Sequence, residues 1–73
     1  MLDKNKLRGA IATAGLTQKE LASRIGISET TFSRKMRVGV FGIDEVQIMI
    51  DLLSIANPSE IFFAKDITSQ VNF

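Results

Sequence analysis

Apolar residues recur along this chain in short helical registers punctuated by glycine. Leu7, Ala10, Ile11 and Ala14 fall at i, i+3, i+4 and i+7, the spacing that lines one face of a helix. A first helix is therefore predicted from about Lys4 to Ala14. It stops at Gly15, a residue suited to the left-handed conformation that closes many helices. Gly9 inside it costs roughly 1 kcal/mol relative to alanine, so this helix leans on its packing. Leu21, Ala22 and Ile25 form the next stripe. Thr17 stands before it as N-cap, and Glu20 completes a Thr-x-x-Glu capping box, in which two otherwise unpaired amides are satisfied reciprocally. Gly26 ends this second helix. Ile27 follows, and Ser28 is placed to cap a third. The apolar stripe of the third helix is narrow, Phe32 and Met36, while Glu29, Thr30, Ser33, Arg34 and Arg37 are polar and point elsewhere. A helix so built is suited to being presented outward.

Val38 to Gly42 reads as a loop with two glycines. A fourth helix is predicted from Ile43 to about Ser54, burying Val46, Met49, Ile50 and Leu53. Ile48, Leu52 and Ile55 widen its apolar arc, which calls for contact on two sides. Asn57-Pro58-Ser59-Glu60 is a helix start, with Asn at N-cap, Pro at N1 and Glu at N3. Ile61, Phe62 and Phe63 follow in a fifth helix of one or two turns. From Ile67 to Phe73 the period changes: Ile67, Ser69, Val71 and Phe73 alternate with Thr68, Gln70 and Asn72. Alternation is a strand signal, and a two-fold mate is the simplest partner for a lone strand. A frayed end and a helical extension of the fifth segment compete with it.

Composition bears on this picture mainly by what is missing. At 73 residues, 45% of them hydrophobic, the chain suits one domain, residues 1–73, with one modest core. There is no Cys and no His, which removes thiolate metal sites, the commonest zinc ligand and the commonest general base. No GxGxxG, Walker A or EF-hand pattern occurs, so neither a cofactor nor a metal is expected and an enzyme is the poorest reading. No apolar run approaches a membrane span and the start does not resemble a signal peptide; a cytoplasmic protein is expected. The formal charge of +1 conceals a division. Residues 1–37 hold eight Lys and Arg against three Asp and Glu, a net +5, and residues 38–73 hold one against five, a net −4. Such asymmetry is the kind that suits a polyanionic partner for one half.

Residues 18–37, QKELASRIGISETTFSRKMR, bring these signals together. Ala22 permits close helix approach, Gly26 permits positive φ in the turn, and Ile27 plugs the junction, as a helix-turn-helix requires. From about Leu7 to Phe63 the chain resembles the phage Cro and repressor-like (Xre-type) helix-turn-helix regulators. The resemblance is carried by LTQKELA, IGIS, TFSRK and the later NPSEIFF, in that order and spacing. It implies an all-α, lambda-repressor-like five-helix domain with the helix-turn-helix at helices 2 and 3. It also implies a transcriptional regulator, of phage or prophage origin, that binds a double-stranded DNA operator in the bacterial cytosol or nucleoid. One departure is Lys35, which stands where many members bury an apolar side chain; Met36 beside it takes that role.

The second helix of such a pair enters the major groove with its N-terminal residues near base edges. Glu29, Thr30, Ser33 and Arg34 are the candidates for base contact. Arg34 suits guanine O6 and N7, Thr30 offers a methyl to thymine, and Glu29 accepts from cytosine N4; Ser33 also suits a phosphate or bridging water. Gln18, at the start of the preceding helix, suits a phosphate, as the matching glutamine of the family does. Lys19, Lys35 and Arg37 are candidates for the same positioning role. Lys4, Lys6 and Arg8 read as a solvated face and stay outside the site. A small domain reaches specificity best as a homodimer on two half-sites. The candidates for that interface are Leu52, Ile55, Ile61 and Phe62, with Ile67, Val71 and Phe73 of a dimerisation segment at residues 64–73. A protein–protein module that keeps the fold, such as an anti-repressor or antitoxin-like partner, is the rival reading.

Overall fold

The structure, a computed structural model, describes residues 2–63. Five helices follow one another: α1 (Lys4–Thr13), α2 (Gln18–Ile25), α3 (Glu29–Val38), α4 (Ile43–Leu53) and α5 (Pro58–Phe62). No strand occurs among the described residues, and no helix there is long and apolar enough to cross a membrane. The all-α, five-helix expectation holds, with each boundary within about a residue or two. The strand or helical tail expected at residues 64–73, and the dimer candidates Ile67, Val71 and Phe73, lie outside the described residues.

Side chains cap the starts of α1 to α3, whereas Asn57, expected to cap α5, makes no side-chain cap bond there and that helix opens on Pro58. Asp3 caps α1 by accepting from the Lys6 amide at 3.1 Å. The capping box of α2 is complete: Thr17 Oγ1 accepts from the Glu20 amide at 3.1 Å, and Glu20 Oε1 from the Thr17 amide at 3.0 Å. Ser28 Oγ caps α3 by accepting from the Thr31 amide. The ends of α1 to α4 share one design. Each passes through a left-handed residue, Gly15, Gly26, Gly39 or Ser54. The next amide then reaches back to a carbonyl five residues earlier, Leu16 to Ile11, Ile27 to Ala22, Val40 to Lys35 and Ile55 to Ile50. This closure is usually accompanied by an apolar contact from the residue past the turn. Leu16, Ile27 and Ile55 supply it by packing against the core. Val40 does not, being 65% exposed.

The core joins all five helices: Leu7 and Ile11 of α1, Leu21 and Ala22 of α2, Phe32 and Met36 of α3, Met49 and Leu53 of α4, and Ile61 and Phe62 of α5, with Leu2 at the edge. Phe41, in the α3–α4 turn, tilts its ring against Phe32 at 5.3 Å between centroids. The Asp3 amide donates to the Ile61 carbonyl, which ties the start of α1 to α5.

Several positions differ from expectation. Ala14 is an exposed helix end rather than part of the α1 stripe, and Val46 and Ile50 are only half-buried. Val38 closes α3 instead of opening the loop. Ile61 and Phe62, candidates for a dimer surface, are buried at 8% and 7% exposure, because α5 is so short that its apolar residues are needed to close the core. Leu52 and Ile55 are half-buried against the same core. Among the described residues, the large apolar side chains that face solvent are Val38, Val40, Ile43, Ile48 and Phe63. Four of these cluster by sequence and position at the α3–α4 turn and the end of α5, and Val40, Ile43 and Phe63 line one groove there.

Candidate nucleic-acid interface

The α2–turn–α3 unit sets out the candidate residues. Ala22, 1% exposed, is the small residue in α2 that lets the helices close on each other. Gly26, at φ 93°, makes the turn, and Ile27 packs beneath it. Phe32 and Met36 anchor α3 inward. With those two fixed, helical geometry turns Glu29, Thr30, Ser33 and Arg34 outward, and all four are exposed. Three of them lie in the first turn and a half of α3, where a groove-reading helix makes its base contacts.

A concavity beside α3 is lined from three helices and gathers three cations, two from α1 and one from α3. Lys4 and Arg8 of α1, Gln18 at the start of α2, and Ser33 and Arg37 of α3 line it, over Met36. Lys4 Nζ donates to the Arg37 carbonyl at 2.7 Å, so an ammonium sits at the carbonyl-rich end of α3, where a cation is favoured. Gln18 and Arg37, both candidates for phosphate contact, line this one concavity. Lys4 and Arg8, read from sequence as a solvated face, belong to the same concavity. Their i, i+4 spacing does place them side by side; what that side meets is a matter of how α1 crosses α2 and α3. Lys19 is exposed on the first turn of α2 but does not line the concavity.

Lys35 is placed differently from the other cations. Its Nζ meets Glu45 Oε2 at 2.5 Å, with side-chain exposures of 30% and 14%. Glu45 Oε1 in turn accepts from the Gly42 amide at 2.7 Å, half of a capping box, since Gly42 has no side chain to return the bond. Burial pushes the Glu45 carboxyl up, but the hydrogen bonds from Lys35 and Gly42 and the Lys35 charge outweigh it, holding the pKa below 4.5. Sequence reading missed Glu45, although Gly42-x-x-Glu45 before an apolar run is a helix-start signal.

Comparison with known proteins bears on the same segment. A family described as winged helix-turn-helix DNA-binding matches residues 11–38, from the end of α1 through α3. The likeness is to the helix-turn-helix itself; the described residues contain no strand from which a wing would be built. No curated protein and no solved structure gives a match. The described residues therefore hold a helix-turn-helix set among five helices, and the segment that forms it is similar to that of a DNA-binding family.

Proposed function

We propose that this protein is a sequence-specific transcriptional regulator, Cro- or repressor-like, that seats α3 in the major groove of operator DNA. The observation that carries the reading is the outward polar face of Glu29, Thr30, Ser33 and Arg34 beside a concavity lined by Lys4, Arg8, Gln18 and Arg37. One surface then offers base readout and phosphate neutralisation together, the two components of specific binding. Arg34 reads guanine; Gln18, Arg37, Lys4 and Arg8 hold phosphate, with Lys19 at the margin. The regulator works as a homodimer, since one small module on one half-site is weak. The exposed side chains of Val40, Ile43 and Phe63 support a second copy at the α3–α4 turn and the end of α5. A phage or prophage source rests on the sequence resemblance alone.

Selection of binding sites from random duplexes tests this directly, and a repressor of this kind should return a palindrome with half-sites about one helical turn apart. On the selected site, affinity should fall steeply with salt, by a slope of about 0.9 per neutralised phosphate. Arg34→Ala should cost about 1–3 kcal/mol and relax one base position. Failure of selection to enrich any sequence, with Arg34→Ala neutral on bulk DNA, sinks the proposal and favours a protein partner.

A further inference from the structure

Three of the four helices that end through a left-handed residue are held there by an apolar side chain packed on the core: Leu16, Ile27 and Ile55. At the end of α3 the equivalent residue, Val40, is solvent-exposed, and the carbonyl it bonds belongs to Lys35. Here an ion pair stands where the apolar contact is missing. Lys35 Nζ reaches across to Glu45 Oε2 on α4, and Glu45 Oε1 takes the Gly42 amide that opens α4. One carboxylate thereby grips both sides of the turn between the recognition helix and its neighbour. The turn itself, Gly39 to Gly42, contains two glycines with little intrinsic stiffness; Phe41 rests its middle on Phe32, and the ion pair ties α3 to the start of α4 on either side.

We propose that Lys35 and Glu45 form a latch that positions α3, and that Lys35 serves DNA binding through this latch rather than by meeting a phosphate. This rests on the DNA-binding reading above. Charge-assisted pairs that are partly shielded from water are worth more than exposed ones, and swinging Lys35 to a phosphate would leave Glu45 a largely buried carboxylate without its cation, which is costly. Lys35 and Glu45 are accordingly positioning residues, and the two alternatives for Lys35 predict opposite effects of removing Glu45's charge.

The test uses the full chain, its selected operator duplex and a random duplex, over a salt series. Glu45→Gln keeps an acceptor for the Gly42 amide and loses the pair; Lys35→Met keeps the side-chain stem and loses the charge. Each should weaken operator binding about tenfold, the double variant should be no worse than either single one, and the salt slope should stay at the native value. Lys35→Arg should restore most of the affinity. Tighter binding or a steeper slope in Glu45→Gln, or a slope reduced by about 0.9 in Lys35→Met, shows a phosphate contact and overturns the latch. Without DNA, amide exchange at residues 40–42 should quicken several-fold in both variants while exchange in α1 stays unchanged; unaltered exchange at the turn also overturns it. If the native chain shows no salt-dependent DNA binding at all, the positioning role falls together with the function, whereas a failure confined to the variants condemns the latch alone.

Discussion

Arg34 and Lys35 are neighbours in sequence with opposite fates, one exposed on the outer face of α3 and the other turned to Glu45. About 100° of helical rotation separates adjacent residues, so a single step along α3 carries a side chain from the outward polar face toward α4. The consequence for Glu45 is a pH dependence. Its pKa in the folded chain lies below the ordinary value of 4.5, so ionised Glu45 stabilises the fold above that pH. The contribution is lost as pH falls through the depressed folded-state value. Thermal melts of the native chain and Glu45→Gln should therefore differ at pH 7 and converge once the pH drops well below 4.5. A gap that persists at acid pH would show that the carboxylate charge is not what stabilises this turn. Of the residues proposed for DNA contact, Glu29, Thr30, Ser33, Arg34, Gln18, Lys19 and Arg37 were legible from the sequence. Polar residues opposite a two-residue apolar stripe can only face out. Lys4 and Arg8 were not, nor was the positioning role of Glu45, because these roles depend on which helix lies across from them.

At the scale of the element, the helices are delimited by local chemistry that reads directly. Thr17 with Glu20, Ser28, and Pro58 at N1 mark starts, and left-handed residues mark the ends of α1 to α4. Two glycines with open space around a built Cβ separate the reasons a glycine is used. Gly26 sits at φ 93° and Gly9 lies in the interior of α1 with nothing within 4 Å. Gly26→Ala meets no atom, yet it forces a left-handed alanine and should destabilise by about 1–2 kcal/mol. Gly9→Ala should stabilise by up to about 1 kcal/mol. Chemical denaturation of the two variants checks both signs at once. Equal effects would mean that packing, and not backbone conformation, decides these positions. The α4 arc shows the limit of this kind of reading. Ile48, Leu52 and Ile55 look like a second apolar face, but Leu52 and Ile55 are half-spent on the core of the same chain, since a domain this small leaves few apolar residues to spare.

For the molecule as a whole, the net +5 of residues 1–37 and −4 of residues 38–73 acquire a spatial meaning. The basic half holds α1 to α3 and hence the concavity and the outward face of α3, while the acidic half supplies α4 and α5. A near-neutral total limits indiscriminate attraction to DNA, and the polarity favours one orientation of approach. Self-association belongs to this scale too. Ile43 is 84% exposed at the start of α4, so Ile43→Glu should leave the fold within about 0.5 kcal/mol while shifting the chain toward monomer and weakening operator binding. Sedimentation at micromolar concentrations, with and without operator, measures this. An unchanged mass in the variant would move the interface elsewhere, and a native chain monomeric even on operator would remove the dimer.

The sequence alone determined what is local or periodic: where helices start and stop, which side of each is apolar, that α2 and α3 form a helix-turn-helix, and that α3 shows a polar face. These follow from hydrogen bonds spanning three to five residues and from the 3.6-residue period. Only the tertiary structure decided which faces meet. It turned Ile61 and Phe62 inward to finish the core, brought Lys4 and Arg8 to Gln18 and Arg37, and set Lys35 against Glu45. Such contacts join residues of different helices and depend on crossing geometry, which is set by the packing of the whole core and is written in no single segment.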